Sequence, residues 1–304
     1  MFLPLLGKLS PIYILIALGI IAGRVLRVPK EAVAKLLIYV IYPVMVFQGI
    51  ATMELQWSLF ALIPFFFLFG AVICVIFLVI GKTLLRDSTA NLLAFGAGMG
   101  NTGYFGFPLV RALFPESIFP VALLIDIGMG IYQHTFGAFV AARGNRSLRQ
   151  SIITVLRLPP IYAMLAGIAW NALGWGLPSV INDFGLQMRG AYVMLGMMLV
   201  GIGLCTNIRE SIDVQYLTLV FIAKFLVWPL AMLGIVWIDT SWTQFFSPAV
   251  HQVMLAESIV PVAANVVAYA AEFKLHPGKG ANAVFTTTVF AFVYVPVVAL
   301  LLFR

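Results

Sequence analysis

Residues 96–108 combine helix-breaking residues with isolated polar side chains. Five glycines and a final proline, Pro108, surround Asn101 and Thr102 in this stretch. In a helix interior, glycine costs roughly 1 kcal/mol and proline roughly 3 kcal/mol relative to alanine. The composition therefore predicts an unwound break whose backbone groups face a cavity. Close packing of helices through small residues is an alternative that explains the glycines but explains Asn101 and Pro108 together less well.

A second stretch, residues 257–265, has a similar character. Pro261 removes a backbone hydrogen bond and kinks a helix, and Asn265 follows four residues later. If the two broken helices cross inside a membrane, the N-termini of their second halves point positive partial charge at the crossing point. Such a site suits an anion, especially a carboxylate. The candidate binding residues are Asn101, Thr102, Pro108, Pro261 and Asn265.

Ionisable and amide side chains also occur inside apolar segments. Asp126 and Gln133 share one face of a predicted helix, and His134 lies beside that face. Gln133 could hydrogen-bond a bound molecule or simply join two helices. Ionisable residues at membrane depth are candidates for function by default. Asp126, His134, Lys224 and Glu257 could therefore couple binding to a proton, or they could pair with each other, and Lys224 could also reach an interface.

The composition defines the environment of these residues. Of 304 residues, 62% are hydrophobic and 10% are charged, and the mean hydropathy is +1.07. Soluble domains are about 45–50% apolar and about 25% charged, so the bilayer must solvate most of this chain. The net charge of +7 then indicates membrane orientation and no nucleic-acid partner. Cys74 and Cys205 lie in apolar stretches, so we predict no disulfide, metal or other cofactor.

Ten apolar stretches are long enough to be transmembrane helices, numbered here as segments 1 to 10. Their predicted ranges are 11–28, 31–53, 57–82, 89–113, 117–141, 159–176, 188–207, 214–238, 248–273 and 281–303. Thirteen of the 18 lysines and arginines fall in the odd-numbered connections, and four fall on the opposite side. The positive-inside rule therefore places the odd connections in the cytoplasm and both termini outside the cell (inner) membrane.

The sequence contains a weak internal repeat. Pro11-Ile-Tyr matches Pro160-Ile-Tyr, and Pro29 matches Pro178, both with an offset of 149 residues. Segments 4 and 9 correspond as well. Because five is odd, the second copy must enter the membrane from the opposite side. The predicted fold is an all-α membrane protein with ten transmembrane helices in a 5+5 inverted repeat and broken crossover helices 4 and 9. The repeats are 1–142 and 159–304, joined by a cytoplasmic loop at 143–158.

Two motifs resemble a known family. Gly100-Asn-Thr-Gly-Tyr-Phe-Gly-Phe-Pro-Leu109 resembles the helix 4 signature of the auxin efflux carrier family, and Val260-Pro-Val-Ala-Ala-Asn-Val-Val267 is similar to its helix 9 signature. Bacterial members include malonate and malate permeases, and the long middle loop of the plant carriers is absent. The motif match implies that Asn101, Pro108, Pro261 and Asn265 have the roles of the corresponding residues in the family. Gln133 stands where members often have asparagine, which leaves its role open.

The resemblance implies a fold shared with the bile-acid sodium symporters. In that fold, helices 1, 2, 6 and 7 form a scaffold domain, and helices 3–5 and 8–10 form a transport domain. It also implies a small organic anion, a mono- or dicarboxylate such as malonate or malate, held near the crossover. The expected function is secondary transport by alternating access, with proton coupling or plain uniport favoured over sodium coupling.

Two other functions stay open at this point: a transporter-like membrane sensor, and an intramembrane enzyme that would use Asp126 and His134. Neither a His-Glu-x-x-His nor a Gly-x-Ser-x-Gly motif occurs, which disfavours an enzyme. The expected partners are the organic anion, protons and the lipid bilayer. A homodimer is also compatible with the sequence.

Overall fold

The computed structural model describes residues 2–53, 57–85, 87–142, 157, 159–203, 212–273 and 275–303. All regular secondary structure within these residues is helical. The helices are α1 Phe2–Arg24, α2 30–51, α3 57–84, α4 Thr89–Ala97, α5 102–113, α6 Glu116–Ala141, α7 Pro159–Ala172, α8 Ser179–Gly203, α9 Val214–Thr243, α10 Pro248–Ser258, α11 Asn265–Glu272 and α12 Pro277–Leu302.

Seven of the described helices are long and apolar enough to cross a membrane, namely α1, α2, α3, α6, α8, α9 and α12. The pair α4 and α5 occupies segment 4, the pair α10 and α11 occupies segment 9, and the shorter α7 occupies segment 6. Helical structure is thus found at all ten predicted places. The count of ten spanning helices and their 5+5 inverted arrangement stay predictions.

The outer surface of α3 shows why the chain needs a bilayer. Leu68, Val72 and Val79 follow one another along the helix and are each more than half exposed. On the opposite face of α3, Phe66, Cys74 and Phe77 are completely or almost completely buried. An apolar stripe of this kind is stable against lipid, whereas in water each exposed Å² would cost about 25 cal/mol.

Two helices begin nine residues earlier than predicted. Segment 1 was expected from residue 11 and α1 begins at Phe2, so Pro11 lies inside the helix. Segment 7 was expected from residue 188 and α8 begins at Ser179. The early turns of α8 carry polar residues that hydropathy reads as a connection. Arg189, the second residue of predicted segment 7 and one of the four positive charges assigned to the outer side, is buried inside α8 because neighbouring polar groups pair with it.

Three helices contain a wide π-helical turn that ends two residues before a proline. These turns and prolines are 37–41 before Pro43 in α2, 102–106 before Pro108 in α5, and 223–227 before Pro229 in α9. A proline ring collides with the carbonyl of the preceding turn and has no N–H to donate, and the wider turn accommodates both defects. Pro108 therefore lies within a continuous helix, and the break in segment 4 comes earlier, at residues 98–101.

The helices pack in two sets around the middle of the molecule. Helix α8 packs on α1 and α2, and α7 packs on α2, while α3 packs on α4 and α6, and α11 packs on α12. Helix α8 reaches the π-helical turn of α5, so the two sets meet at the break in segment 4. The assignment of these sets to a scaffold and a transport domain stays a prediction.

Candidate functional site

The breaks in segments 4 and 9 lie side by side. Helix α4 ends at Ala97 and α5 begins at residue 102, while α10 ends at Ser258 and α11 begins at Asn265. The backbone N–H of Asn101 donates a hydrogen bond of 2.9 Å to the carbonyl oxygen of Pro261. The interruption of both segments agrees with the glycine and proline pattern. We call this hydrogen-bonded meeting point the crossover.

Close packing explains why the chain breaks where it does. A side chain at Gly98 would collide with the Tyr132 hydroxyl and would lie 2.6 Å from the carbonyl oxygen of Gly70. The carbonyl of Ala97, which has no partner within the helix, accepts a hydrogen bond of 2.6 Å from the indole N–H of Trp228. The end of α4 is therefore capped by a side chain from α9, as buried helix ends require.

A cavity of about 100 Å³, which we call the central cavity, lies beside the crossover. Six of the ten candidate residues line it: Asn101, Thr102, Asp126, Gln133, His134 and Asn265. The other four, Pro108, Lys224, Glu257 and Pro261, do not line it. The structure thus brings together residues from segments 4, 5 and 9 that are far apart in the sequence.

One wall of the central cavity is built around the Asp126 carboxylate. The Tyr42 hydroxyl donates to Oδ2 at 2.5 Å, and the Thr102 hydroxyl donates to Oδ1 at 2.6 Å. Distances this short are typical of hydrogen bonds to an ionised oxygen. The ring of Tyr192 stacks on Tyr42 at a centroid distance of 5.1 Å and covers the same region. Asp126 is thus held in a fixed orientation at the edge of the cavity.

The opposite wall joins α6 to α11. The Asn265 side-chain amide donates a hydrogen bond of 3.0 Å to Gln133 Oε1, and a hydrogen bond of 2.5 Å joins Tyr269 Oη to His134 Nδ1. Residues 133–137 form a π-helical turn. This turn places the consecutive side chains of Gln133 and His134 at the same cavity, and π-helical turns of this kind occur frequently at functional sites.

Unfilled donors point to the kind of ligand that the cavity can hold. Asn101 is 3% exposed, and its Nδ2 has no hydrogen-bond partner within the described residues. The N-termini of α5 and α11 also end at the cavity, where the helix dipoles place positive partial charge. Both features favour a ligand that accepts hydrogen bonds and carries negative charge. Among the described lining residues there is no lysine or arginine.

Lys224 and Glu257 are buried near the crossover but outside the central cavity. The ammonium of Lys224 lies 3.2 Å from the centroid of the Trp228 ring and close to Gly100. The carboxylate of Glu257 packs against Gly106 in α5. Both side chains are fully buried, and neither forms a hydrogen bond within the part of the chain that the structure describes. They are placed to influence α5, but they do not contact the space where a ligand would lie.

Sequence reasoning missed the tyrosines of the site. Tyr42, Tyr104 and Tyr192 surround Asp126, and Tyr269 contacts His134. A buried carboxylate needs hydrogen-bond donors, so some hydroxyl partner could have been inferred for Asp126. Its identity could not, because tyrosines in apolar segments are also common at membrane interfaces.

A second cavity lies beside the central cavity, toward one end of the molecule. Ala264 and Asn265 also line this second cavity of about 400 Å³, the lower cavity, which reaches Lys30 and Glu272. Lys30 and Glu272 adjoin odd-numbered connections, which are the ones predicted to face the cytoplasm. The central cavity therefore lies next to a space that reaches this end of the molecule.

Comparison with known proteins assigns the chain to a family. Residues 4–299 match the family model described as membrane transport protein. An uncharacterized transporter of Methanothermobacter thermautotrophicus is 27% identical over 210 residues, which cover 67% of this chain and only 65% of that relative's length. An uncharacterized transporter of Methanocaldococcus jannaschii is 25% identical over 293 residues, covering 92% of this chain and 93% of the relative. These matches indicate a multi-pass membrane transporter and remove the enzyme alternative. The chain belongs to the membrane transport protein family, which is the family of the auxin efflux carriers.

Proposed function

We propose that this transporter carries a small organic anion, a mono- or dicarboxylate such as malonate or malate, across the cell (inner) membrane by alternating access. The observation that carries the proposal is the crossover itself. Two interrupted helices are hydrogen-bonded to each other, and the N-termini of their second halves end at one cavity with Asn101 and Asn265. Broken helices of this kind form the substrate sites of many secondary transporters.

The donors around the cavity support an anion as the ligand. The free amide of Asn101 can donate to a carboxylate oxygen, and Asn265 lies where its amide can turn from Gln133 toward a ligand. Because no lysine or arginine lines the cavity within the described residues, the ligand's charge is offset by the partial charges of the two helix N-termini.

We assign the coupled proton to Asp126. Glu257 was the other acidic candidate, but only Asp126 lines the central cavity. An ionised Asp126 about 6 Å from a bound carboxylate would repel it by about 3 kcal/mol at an effective dielectric constant of 20. Protonation of Asp126 removes this repulsion, so anion and proton would bind together. In this assignment, Lys224 and Glu257 balance each other's charge behind α5.

The packing of the helices supports a moving part and a fixed part. The set α1, α2, α7 and α8 corresponds to the predicted scaffold helices, and the crossover belongs to the other set. Because the central cavity shares two lining residues with the lower cavity, we infer that this conformation is open to the cytoplasm in the predicted orientation. Thiol labelling from outside should then reach a cysteine at residue 2 and fail at position 146, and the opposite pattern would reverse the orientation.

Uptake into proteoliposomes tests the function. Labelled malonate, malate, oxalate and an indole acid should be compared, with an imposed pH gradient or voltage and with or without sodium. We expect accumulation of at least one anion, driven by the pH gradient and indifferent to sodium. Asp126→Asn should exchange anions across the membrane but lose accumulation driven by the pH gradient. Binding of an anion without any uptake would favour a sensor, and a steep dependence on sodium would refute the proton assignment.

A further inference from the structure

A third cavity lies at the end of the molecule opposite the lower cavity. This upper cavity has a volume of about 740 Å³, and its polar lining residues include Gln48, Thr52, Glu116, Asn182 and Arg189. They lie on α2, α6 and α8, or directly after α2 in the case of Thr52, at the ends that adjoin the even-numbered connections. None of these residues lines the central cavity.

Arg189 is built into the wall of the upper cavity in the manner of an anion receptor. It is 3% exposed, and one of its terminal nitrogens donates to Gln48 Oε1 at 2.8 Å. Gln48 is fixed in turn by donating to Asn182 Oδ1 at 2.8 Å. The guanidinium carbon lies 3.9 Å from the centroid of the Phe119 ring. A guanidinium held on three sides in this way presents its remaining N–H groups in a defined direction, which suits a carboxylate.

The carboxylate now paired with Arg189 belongs to Glu116, in the first turn of α6. The Glu116 side chain is 50% exposed, and it also pairs with Arg111 at 3.2 Å. Arg111 is similarly exposed, at 46%. Glu116 can therefore leave Arg189 at little cost, because water and Arg111 remain as its partners. Arg189 cannot be left alone at the same small cost, because a buried unpaired charge is strongly unfavourable.

Arg189 Nε has no hydrogen-bond partner within the described residues. Glu116 alone thus leaves part of the hydrogen-bonding capacity of the Arg189 guanidinium unused. A free carboxylate that enters the upper cavity could engage the guanidinium with both oxygens, which Glu116 does not do here.

We propose that Arg189 is a second anion site, at which a carboxylate replaces Glu116 on its way between the outer solution and the central cavity. Glu116 occupies the site when no anion is present. The inference rests on the proposed anion transport, because it places this site on the same route. The ligand class is a carboxylate, recognised by a buried arginine rather than by the neutral donors of the central cavity.

Thiol labelling tests the site without depending on transport. The protein carries Thr52→Cys in the upper cavity, with Cys74→Ala and Cys205→Ser removing the native thiols, and is studied in nanodiscs at low ionic strength. Thiol reagents of opposite charge report the electrostatic field of Arg189. One unit charge about 8 Å away in water changes the ratio of their rates about fivefold. Arg189→Gln should lower the ratio of anionic to cationic labelling by about this factor. Arg111→Gln, a matched control outside the cavity lining, should change it less than twofold.

Protection by added anions tests binding. In the Glu116→Gln background, malonate, malate, oxalate or an indole acid should slow labelling of the cysteine at position 52 by an uncharged maleimide at least threefold. Adding Arg189→Gln should abolish the protection. Arg189→Lys should keep the charge effect but lose most of the protection, because an ammonium lacks the planar fork. This variant decides the question if Arg189→Gln fails to fold.

The outcomes separate the two proposals. Absence of protection by every anion in the Glu116→Gln background, or a rate ratio insensitive to Arg189, would overturn the second site, even if wild-type liposomes accumulate an anion. Conversely, protection that depends on Arg189 supports the site. If wild-type liposomes then take up none of the four anions, the transport proposal fails for these anions and the site stands.

Discussion

Replacing Asn101 with alanine should have opposite effects on the empty and the loaded protein. In the empty protein, Asn101 Nδ2 is buried and unpaired within the described residues. An unsatisfied buried donor costs about 1–3 kcal/mol, so its removal should leave the protein equally stable or more stable. With an anion bound, the same change deletes a hydrogen bond to a charged group, worth about 1.5–3 kcal/mol. The KM for transport should therefore rise roughly ten- to a hundredfold.

Two further alanine variants make this test specific. Asn265→Ala removes a hydrogen bond that exists without ligand, to Gln133 at 3.0 Å, so it should lower stability by about 0.5–1.5 kcal/mol and also weaken transport. Asn282 is the matched control, because its Nδ2 is also buried and unpaired within the described residues but does not line the central cavity. Asn282→Ala should behave like Asn101→Ala on heating and transport normally.

The measurements are thermal unfolding of the purified protein without substrate and the KM of uptake into proteoliposomes. The reasoning would be refuted if Asn101→Ala lowered the unfolding temperature as much as Asn265→Ala does, because the amide would then serve the fold. An unchanged KM for both Asn101→Ala and Asn265→Ala would mean that the substrate binds away from the crossover. The face of α6 that carries Gln133 would then be the next candidate.

Two more predictions concern the site wall and the cytoplasm-facing end. Gly103→Ala places a methyl group 2.9 Å from the Tyr192 hydroxyl and 3.1 Å from the Asp126 carboxylate, so the rate of uptake into proteoliposomes should fall at least tenfold. Gly190→Ala is the control: its methyl group would point into open space, so it should have no effect in the same uptake assay. Burial would raise the pKa of Asp213, but hydrogen bonds from Lys279 and from a backbone N–H lower it below the usual value. A lowered pKa means that the carboxylate stabilises the fold above about pH 4 and loses this effect as the pH falls further. Thermal unfolding between pH 3 and 7 should therefore show a smaller acid-induced loss for Lys279→Met than for the wild type.

The breaks in segments 4 and 9 could be predicted because their causes are local. Glycines and prolines disfavour a helix through the conformation of their own backbone, whatever surrounds them. Asn101 and Asn265 could be found for the same reason, since each lies beside such a break. Their arrangement around one cavity with Asp126 and Gln133 depends on the packing of three segments.

Other errors come from reading residues one at a time. Arg189 was placed at the outer end of segment 7 because an arginine disfavours the interior of an apolar stretch. In the structure Gln48 and Glu116 pair with it and so allow it to lie inside a helix. Pro108 was expected to mark the break itself. The π-helical turn before Pro108 accommodates its ring and its missing N–H within the helix, so the unwound residues lie closer to Asn101.

The crossover hydrogen bond joins two backbones, from Asn101 N–H to the carbonyl of Pro261, and involves no side chain. Its geometry is therefore independent of which side chains surround the cavity. Under the proposed function, substitutions at Thr102, Gln133 or His134 would alter ligand preference and leave this backbone hydrogen bond in place. The donor comes from the first half of the chain and the acceptor from the second, so neither half alone contains a complete frame. Because the frame is made by the backbone, ligand preference would change through a few side chains alone. A change that separates the two halves would break the hydrogen bond between the backbones and so abolish binding of every ligand.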